Sequence, residues 1–287
     1  MRIHRSTIQL LRFHFSFFLM PVYWYALSQV VAPDFARAVL VFIILHLLIY
    51  PSSNGFNSYM DRDEGSIGGL KSPLQPTRQL LYVTMAMDLF AILLSLFISS
   101  FFAVAIFVYI LASRAYSARS VRIKKFPFAG YLTVVLCQGA LVFFMVYHGV
   151  HRNLSLHVPT LGMISASLLI GGFYPLTQIY QHESDAKDGV NTISAMLGIR
   201  GTFIFSGSLY GIAFVLIGYF FLESLELKEF LVLSTCMAPI LVYFTIWALK
   251  TWKNPLNADF AHTMRMNTIA SVFTSLGFIL ILIMQFI

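Results

Sequence analysis

Apolar runs of membrane-spanning length make up most of this chain and limit the folds open to it. A helix needs roughly 17–25 mainly apolar residues to cross a bilayer, and nine runs approach that length. They are Phe15–Val31, Phe35–Asn54, Leu80–Phe97, Phe101–Ala115, Phe128–Tyr147, Thr160–Gln178, Phe203–Leu222, Phe230–Leu249 and Ala270–Ile287. Only 11% of the residues are charged, against about 25% in soluble proteins. We therefore predict an all-α, polytopic membrane protein with nine transmembrane helices in one domain over residues 1–287.

The placement of basic residues supports nine crossings. With a cytoplasmic N-terminus, sixteen of the nineteen Lys and Arg residues fall on the cytoplasmic side, and only Arg37, Arg152 and Lys228 fall outside. The positive-inside rule requires such a bias. Counting Leu80–Ala115 as one crossing, rather than two joined at Ser99, destroys it. The net charge of +7 thus reflects topology and gives no indication of nucleic-acid binding. We expect a multi-pass protein of a bacterial inner membrane.

An acidic segment occurs twice in the chain. The first acidic segment, Tyr50–Gly65, reads YPSSNGFNSYMDRDEG, and the second, Tyr174–Gly189, reads YPLTQIYQHESDAKDG. The offset is 124 positions without a gap, and eight of the sixteen positions are identical or conservatively exchanged. The matched polar pairs include Asn54 with Gln178, Asn57 with Gln181, Asp61 with Asp185, and Glu64 with Asp188. Such internal repetition indicates two homologous halves.

The halves have predictable bounds and orientation. We expect four crossings in a first repeat over about residues 9–125, four in a second over about 126–250, and a ninth helix over about 266–287. An even number of crossings per repeat keeps both halves in the same orientation, as in repeats related by an axis along the membrane normal. Both acidic segments then lie on the cytoplasmic side of the membrane.

The acidic segments predict a divalent metal site. Asn57 and Asp61 are four residues apart, as are Gln181 and Asp185, so each pair shares a helix face. Clustered carboxylates repel one another, and a cation removes that repulsion. Mg²⁺ prefers one or two protein carboxylates together with waters and phosphate oxygens. The predicted metal ligands are Asn57, Asp61, Asp63, Glu64, Gln181, Asp185 and Asp188. Asp61 and Asp185, the two aspartates at the same position of both copies, are the predicted catalytic residues.

Basic residues near these acids are suited to phosphate. They are Arg62, Lys71, Arg122, Lys124, Lys187 and Arg200. For the basic stretch over 114–125, a plain topology anchor is an equal alternative. The Gly- and Pro-rich loop that starts at Gly65 cannot be regular helix and is expected to fold over the site. Acids for a metal, bases for phosphate and an apolar bundle together suggest a lipid diphosphate.

Three further polar residues are candidates for the substrate cavity. Asn54 and Gln178 lie one turn before the metal-binding amides. Asp88 is in the middle of an apolar run, where a charge is costly in lipid, so it should face the bundle interior. For Asp88 a structural hydrogen bond is the alternative to a role in the cavity.

The two acidic segments resemble the paired motifs of the UbiA superfamily of intramembrane prenyltransferases, N-x-x-x-D-x-x-x-D and D-x-x-x-D-x-x-x-G. The residues in register with those motifs and with the family's middle loop, YSARSVRIKK here, are Asn57, Asp61, Tyr116, Ser117, Arg122, Lys124, Lys125, Asp185, Gly189, Thr192 and Gly198. The resemblance implies that Tyr116 also contacts the diphosphate. The chain departs from the motifs at Gly65 and Gln181, where the family has aspartate. Asp188 or Glu183 is expected to supply the missing carboxylate, and Asp188 is favoured because Glu64 occupies the same repeat position.

The resemblance implies Mg²⁺-dependent transfer of an isoprenyl group from an isoprenyl diphosphate to a hydrophobic, typically aromatic acceptor. The allylic cation would be sheltered from water and stabilised by ring faces, and the isoprenoid tail would lie between helices, open to the lipid bilayer. A non-catalytic or transport protein that binds an isoprenoid is the alternative, because parallel repeats with charges near the midplane also describe carriers. Acids at the cytoplasmic edge favour the enzyme.

Overall fold

The protein is helical throughout the residues that the structure describes. This computed structural model describes residues 3–223 and 226–286, and within those ranges the only extended pairing is an isolated bridge between Ile67 and Leu70. The α-helices in chain order are α1 (Arg5–Leu10), α2 (Met20–Ser28), α3 (Phe35–Asp61), α4 (Arg78–Ser95), α5 (Ser100–Ser117), α6 (Pro127–Val150), α7 (Thr160–Gln178), α8 (His182–Lys187), α9 (Ile193–Glu223), α10 (Leu227–Lys253) and α11 (Phe260–Met284). The predicted all-α fold class is confirmed.

Eight of the described helices are long and apolar enough to cross a membrane, namely α3 to α7 and α9 to α11. They correspond to eight of the nine predicted runs, although the last run extends to Ile287, which lies outside the described residues. The predicted break at Ser99 is confirmed. There the Ser99 hydroxyl caps α5 by accepting a hydrogen bond from the backbone N–H of Phe102 at 3.0 Å.

The first predicted run, Phe15–Val31, is not one continuous α-helix. Arg12 adopts a left-handed conformation with φ 48°, and a 3₁₀-helix over Phe13–Leu19 follows it. The α-helix α2 has nine residues, which alone is too short to cross a bilayer. Its first turn contains Pro21, which lacks the N–H that would extend the helix backwards. The predicted count of nine spanning helices is therefore not confirmed, and the structure supports eight in its described ranges.

The bundle is apolar outside and carries polar groups inside. Leu89, Val215 and Leu241 are 60%, 68% and 67% exposed, whereas Ser165 and Asn267 are fully buried. A soluble protein rarely exposes so much contiguous apolar surface, but a bilayer accepts it. This distribution is that of a multi-pass membrane protein.

The acidic segments lie at one end of the bundle. At the other end, the guanidinium of Arg37, at the start of α3, donates to the carbonyl oxygen of Arg152 at 2.9 Å. The helix α3 then runs for 27 residues to Asp61, a rise of about 40 Å. Two of the three basic residues predicted to lie outside thus sit together, a membrane thickness away from the acids.

Candidate functional site

One cavity of about 220 Å³ opens between the two acidic segments. Its walls come from α3, α5, α6, α7, α8 with the turns on either side of it, the loops over residues 62–77 and 118–126, and the 3₁₀-helix after Arg12. The charged and amide residues that line it are Arg12, Asn54, Asn57, Asp61, Asp63, Lys124, Gln138, Gln178, Gln181, Asp185 and Asp188. The structure therefore brings together most of the residues predicted from the two motifs.

Asp61 stands at the C-terminal end of α3, where the helix stops because Arg62 takes a left-handed conformation. A carboxylate at this end is opposed by the helix dipole, but basic residues compensate. Lys124 donates a hydrogen bond to Asp61 Oδ2, and an Arg122 nitrogen lies 3.8 Å from Oδ1. Although the Asp61 side chain is only 5% exposed, its Oδ1 has no hydrogen-bond partner among the described residues.

Asn57 lies one turn before Asp61 on the same face of α3, as predicted. Its amide nitrogen donates to the Ser117 hydroxyl at 3.0 Å. One turn earlier, the hydroxyls of Ser53 and Ser113 lie 2.5 Å apart. Both bonds join α3 to α5, so the helix carrying the first set of candidate ligands is fixed to its neighbour.

The second acidic segment is built differently. The helix α7 ends at Gln178, and a separate six-residue helix, α8, begins at His182. Gln181 caps the start of α8, and the backbone N–H of Asp185 donates to its carbonyl at 2.8 Å, so the two residues lie one turn apart and both line the cavity. The break after α7 is a turn in which the backbone N–H of Gln181 donates to the Gln178 carbonyl at 2.9 Å. The amide side chain of Gln181 donates to the carbonyl of Ser66 at 3.1 Å.

Burial and mutual repulsion alter the acidity of the cavity carboxylates. Burial, with the nearby charges of Asp63 and Asp61, raises the pKa of Asp185 to about 7, although Lys124 opposes the shift. Burial and the charge of Asp61 also raise the pKa of Asp63. A cation bound between these carboxylates would relieve the repulsion.

Among the predicted phosphate-binding residues, two line the cavity and a third, Arg122, pairs with its acids. Lys124 and Tyr116 line it, and the Tyr116 hydroxyl is hydrogen-bonded to that of Tyr174. Arg122 bridges the two acidic segments, because it pairs with Asp188 as well as with Asp61.

The other predicted cations are placed elsewhere. Arg62, Lys71, Lys187 and Arg200 are exposed and lie outside the cavity lining that the described residues form. Arg200 instead packs over the ring of Trp252, 5.5 Å from its centroid. Closeness along the chain did not translate into closeness in space for these four residues.

Three predicted acids also lie outside the described cavity lining. Glu64 and Glu183 are exposed. Asp88 pairs with Arg114, whose Nε donates to its carboxylate at 2.9 Å, and it accepts from the Ser52 hydroxyl at 2.6 Å. Asp88 thus makes the contacts expected of the structural alternative and is not among the residues described as lining the cavity. The pair compensates a charge that an apolar run could not otherwise hold.

Arg12 is a site residue that the sequence did not reveal. It lines the cavity, is 6% exposed, and donates to the carbonyls of Asn54 and Gly68, both at 3.2 Å. Burial lowers its pKa to about 10. The repeat gave no signal for it, because the position 124 residues later is Leu136.

The loop over residues 62–77 covers the cavity, as predicted. Asp63, Ile67 and Gly68 line the cavity directly. Ile67 is only 5% exposed and packs with Leu80 in a small apolar cluster. The loop is therefore a fixed part of the cavity wall.

The oxygen atoms that line the cavity suit a Mg²⁺ ion that is held jointly by the protein and by phosphate oxygens. Within the described ranges, no group of three or more His, Cys, Asp and Glu side chains is close enough to hold a metal ion by itself. Mg²⁺ does not require such a cage, since it is usually held by one or two carboxylates plus waters and phosphate oxygens. The Asp61 oxygen that accepts no hydrogen bond from the described residues, together with Asp185 in the same cavity lining, supplies hard oxygen donors of that kind.

Comparison with solved structures finds the same fold. The chain aligns with a UbiA homolog from Archaeoglobus fulgidus bound to DMAPP and Mg²⁺, at TM-score 0.72 and 21% identity, covering 96% of this chain and 99% of that one. The same homolog bound to GPP and Mg²⁺ gives TM-score 0.70 and 20% identity with the same coverage. The apo UbiA homolog from Aeropyrum pernix K1 gives TM-score 0.67 and 16% identity, covering 93% and 97%.

Sequence comparison gives the family directly. No curated protein matches the chain at a significant level. The model of the UbiA prenyltransferase family matches residues 16–269, which includes both acidic segments and seven of the eight candidate spans in full. The resemblance drawn from the motifs is confirmed: the protein belongs to the UbiA prenyltransferase family.

Proposed function

We propose that the protein is an intramembrane, Mg²⁺-dependent prenyltransferase that moves an isoprenyl group from an isoprenyl diphosphate to a hydrophobic aromatic acceptor. The observation that carries the proposal is the convergence of Asp61 and Asp185, 124 residues apart in the sequence, on one cavity that also holds Lys124. Family membership supports it. So do the homologs of the same fold that bind DMAPP or GPP with Mg²⁺.

Asp61 and Asp185 would hold Mg²⁺, with Asp63 and Asp188 close by and the amide of Asn57 as a neutral oxygen donor. When bound, the ion neutralises charge on the diphosphate leaving group. The exposed Glu64 lies outside the cavity lining, so we do not assign it to the site.

The chain's own cations would bind and orient the diphosphate. Lys124 lines the cavity, and Arg122 sits where it can turn from Asp188 to a phosphate oxygen. Arg12 presents a buried guanidinium whose Nε has no hydrogen-bond partner in the described part of the chain. Arginine and lysine in these positions suit phosphate oxygens.

The cavity is also lined by the rings of Phe15, Phe18, Tyr109, Phe173 and Tyr174. The allylic C–O bond would break with its electron pair leaving on the diphosphate. An electron pair of the acceptor ring then forms the new C–C bond, and the proton displaced from that ring leaves on the released diphosphate. Ring faces stabilise a cation by about 0.5–2 kcal/mol each, and the apolar wall keeps water from the intermediate.

The finer topology is part of the proposal. We propose nine crossings, with Phe15–Val31 as the additional one, two four-helix repeats over about 9–125 and 126–250, and a ninth helix over about 266–287. The N-terminus and both acidic segments would face the cytoplasm. Accessibility of single cysteines to a membrane-impermeant maleimide tests this. In sealed vesicles of known orientation, Lys71→Cys and Arg152→Cys should label from opposite sides, and labelling from the same side contradicts it.

The function is tested with purified protein in nanodiscs. Geranyl diphosphate should bind in the presence of Mg²⁺ and not with EDTA, and a panel of isoprenyl diphosphates and hydroxy-aromatic acceptors should yield prenylated products by mass spectrometry. Asp185→Asn should abolish product formation. Asp34→Asn should not, because Asp34 caps the start of α3, at the other end of that helix from Asp61 and the cavity. Mg²⁺-dependent binding without any turnover would instead support an isoprenoid-binding or transport protein.

A further inference from the structure

We propose that Gln181 is a positioning residue that fastens the loop over residues 62–77 to the second acidic segment, and that it acts by this hydrogen bond rather than by coordinating metal. Its amide nitrogen donates to the carbonyl of Ser66 at 3.1 Å, a contact between residues 115 positions apart. The UbiA motif has aspartate at this position. An ionised aspartate only accepts hydrogen bonds, so it could not make this contact with a carbonyl oxygen.

The opposite side of the loop is held by the N-terminal segment. The contacts are Gln9 with the Leu74 N–H at 2.8 Å, Arg12 with the Gly68 carbonyl at 3.2 Å, and His14 with the Gly69 carbonyl at 2.9 Å. The packing there is close, because a Cβ on Gly68 would lie 2.7 Å from the Phe15 ring. This side of the loop therefore cannot shift without moving the whole N-terminal segment.

Gln181 holds the other side. The loop belongs to the first half of the chain. Its Ser66 contacts Gln181 of the second half, at the turn that precedes α8. Ile67, the next residue, lines the cavity and is nearly buried. Fastening Ser66 therefore sets the position of this part of the cavity wall and limits the entry of water.

This role accounts for a departure from the family motif. Replacing aspartate by glutamine removes one negative charge from the metal side of the cavity and adds a donor facing the loop. The hydrogen bond can be tested independently of any reaction. Its consequence, exclusion of water from an allylic cation, rests on the proposed function.

Hydrogen exchange tests the hydrogen bond in the full-length, metal-free protein in micelles. The amides of Ile67 and Leu70 are protected by their mutual backbone bonds, both 2.9 Å. Gln181→Met and Gln181→Glu both remove the donor, so both should speed exchange of these amides by roughly three- to tenfold, the range that one net hydrogen bond provides. Gln285→Met removes a similar glutamine-to-serine-carbonyl bond, 2.5 Å, elsewhere in the protein, and should leave the loop unchanged. Unaltered exchange in both Gln181 variants would overturn the proposal.

Metal affinity separates positioning from coordination. If Gln181 were a ligand, Gln181→Glu should tighten Mg²⁺ binding and Gln181→Met should weaken it. If Gln181 is a positioning residue, both variants should raise the KM for geranyl diphosphate. Opposite shifts in Mg²⁺-induced thermal stabilisation would overturn the proposal. Gln181→Leu, which also lacks the donor, serves if Gln181→Met does not fold. A wild-type protein without turnover would count against the proposed function alone, because the exchange experiment still decides the role of Gln181.

Discussion

The two acidic segments share a sequence pattern but differ in how firmly they are held. The first lies on the long helix α3, which Ser53, Asn57 and Ser52 join to its neighbours at successive levels. The second contains the break after α7, and its acidic residues lie on the six-residue α8 and directly after it. Side-chain contacts hold it in place, including Arg122 with Asp188 and His182 with the Ser194 hydroxyl at 2.8 Å. A repeated motif thus provides one preorganised half-site and one that depends on its surroundings.

The largest expected effect is common to both segments. Asp61→Ala and Asp185→Ala should each reduce prenyl transfer by about a thousandfold or more, because each removes stabilisation of the leaving group of the order of several kcal/mol. Turnover of geranyl diphosphate measures the effect, with gel filtration to verify folding. Glu183→Ala, at an exposed position outside the described cavity lining, is the control. Wild-type turnover in either aspartate variant would remove the metal-site interpretation.

The ion pair between Asp88 and Arg114 helps to hold the first acidic segment, because Asp88 also accepts a hydrogen bond from Ser52 of α3. Asp88→Asn should lower the free energy of unfolding by about 3 kcal/mol, because removing one partner of a buried pair leaves an uncompensated charge, here Arg114. Unfolding in mixed micelles measures this. Asp34→Asn disturbs the more exposed pair with Arg37 and should cost less than about 1 kcal/mol. Equal losses in the two variants would show that the Asp88 pair does not support α3.

A third comparison uses matched repeat positions. Asp188 lines the cavity, whereas its repeat partner Glu64 lies outside the described lining, although both residues are exposed. Asp188→Asn should weaken Mg²⁺ binding about tenfold, because it removes a charge from the cavity that a metal ion would offset. Glu64→Gln should change it less than about twofold. Titration calorimetry with Mg²⁺ and geranyl diphosphate decides the point, and equal effects would mean that the two segments are more symmetric than the structure indicates.

The smallest expected effect concerns Asn57. Ser117→Ala removes the acceptor of its amide, and should cost about 1 kcal/mol of stability. If Ser117 also orients Asn57, kcat should fall by a few-fold while the KM for geranyl diphosphate stays constant. Ser120→Ala, at an exposed position in the loop after α5, is the control. An unchanged kcat would limit Ser117 to a structural role.

Hydropathy and repetition predicted the parts of this molecule that follow from local sequence. Apolar runs located eight spans because a bilayer imposes a minimum length on each, and the repeat located Asp61 and Asp185. The short α8 and the 3₁₀-helical start of the first run were not predictable from periodicity. Pro21 and the left-handed Arg12 decide the latter.

Residues brought in from distant parts of the chain were the hardest to predict. Arg12 reaches the cavity through a turn that no motif marks, and Arg200 turns away to Trp252 although it follows the second motif closely. The partner of Gln181 is a backbone carbonyl 115 residues away, which no pattern of side chains encodes.

The bridge that Arg122 makes between Asp61 and Asp188 has a consequence for how ligands enter. Together with Lys124, it means that the cavity already contains its own counter-ions. A metal diphosphate would therefore bind by ion exchange, with the metal taking over the carboxylates as the arginine and lysine transfer to phosphate oxygens. Binding the metal alone would leave the arginine and lysine without their carboxylates, and binding the diphosphate alone would leave the carboxylates without their cations. Each is unfavourable because a buried charge loses its partner. Metal and diphosphate should consequently load as one unit, and the protein would hold either one poorly without the other.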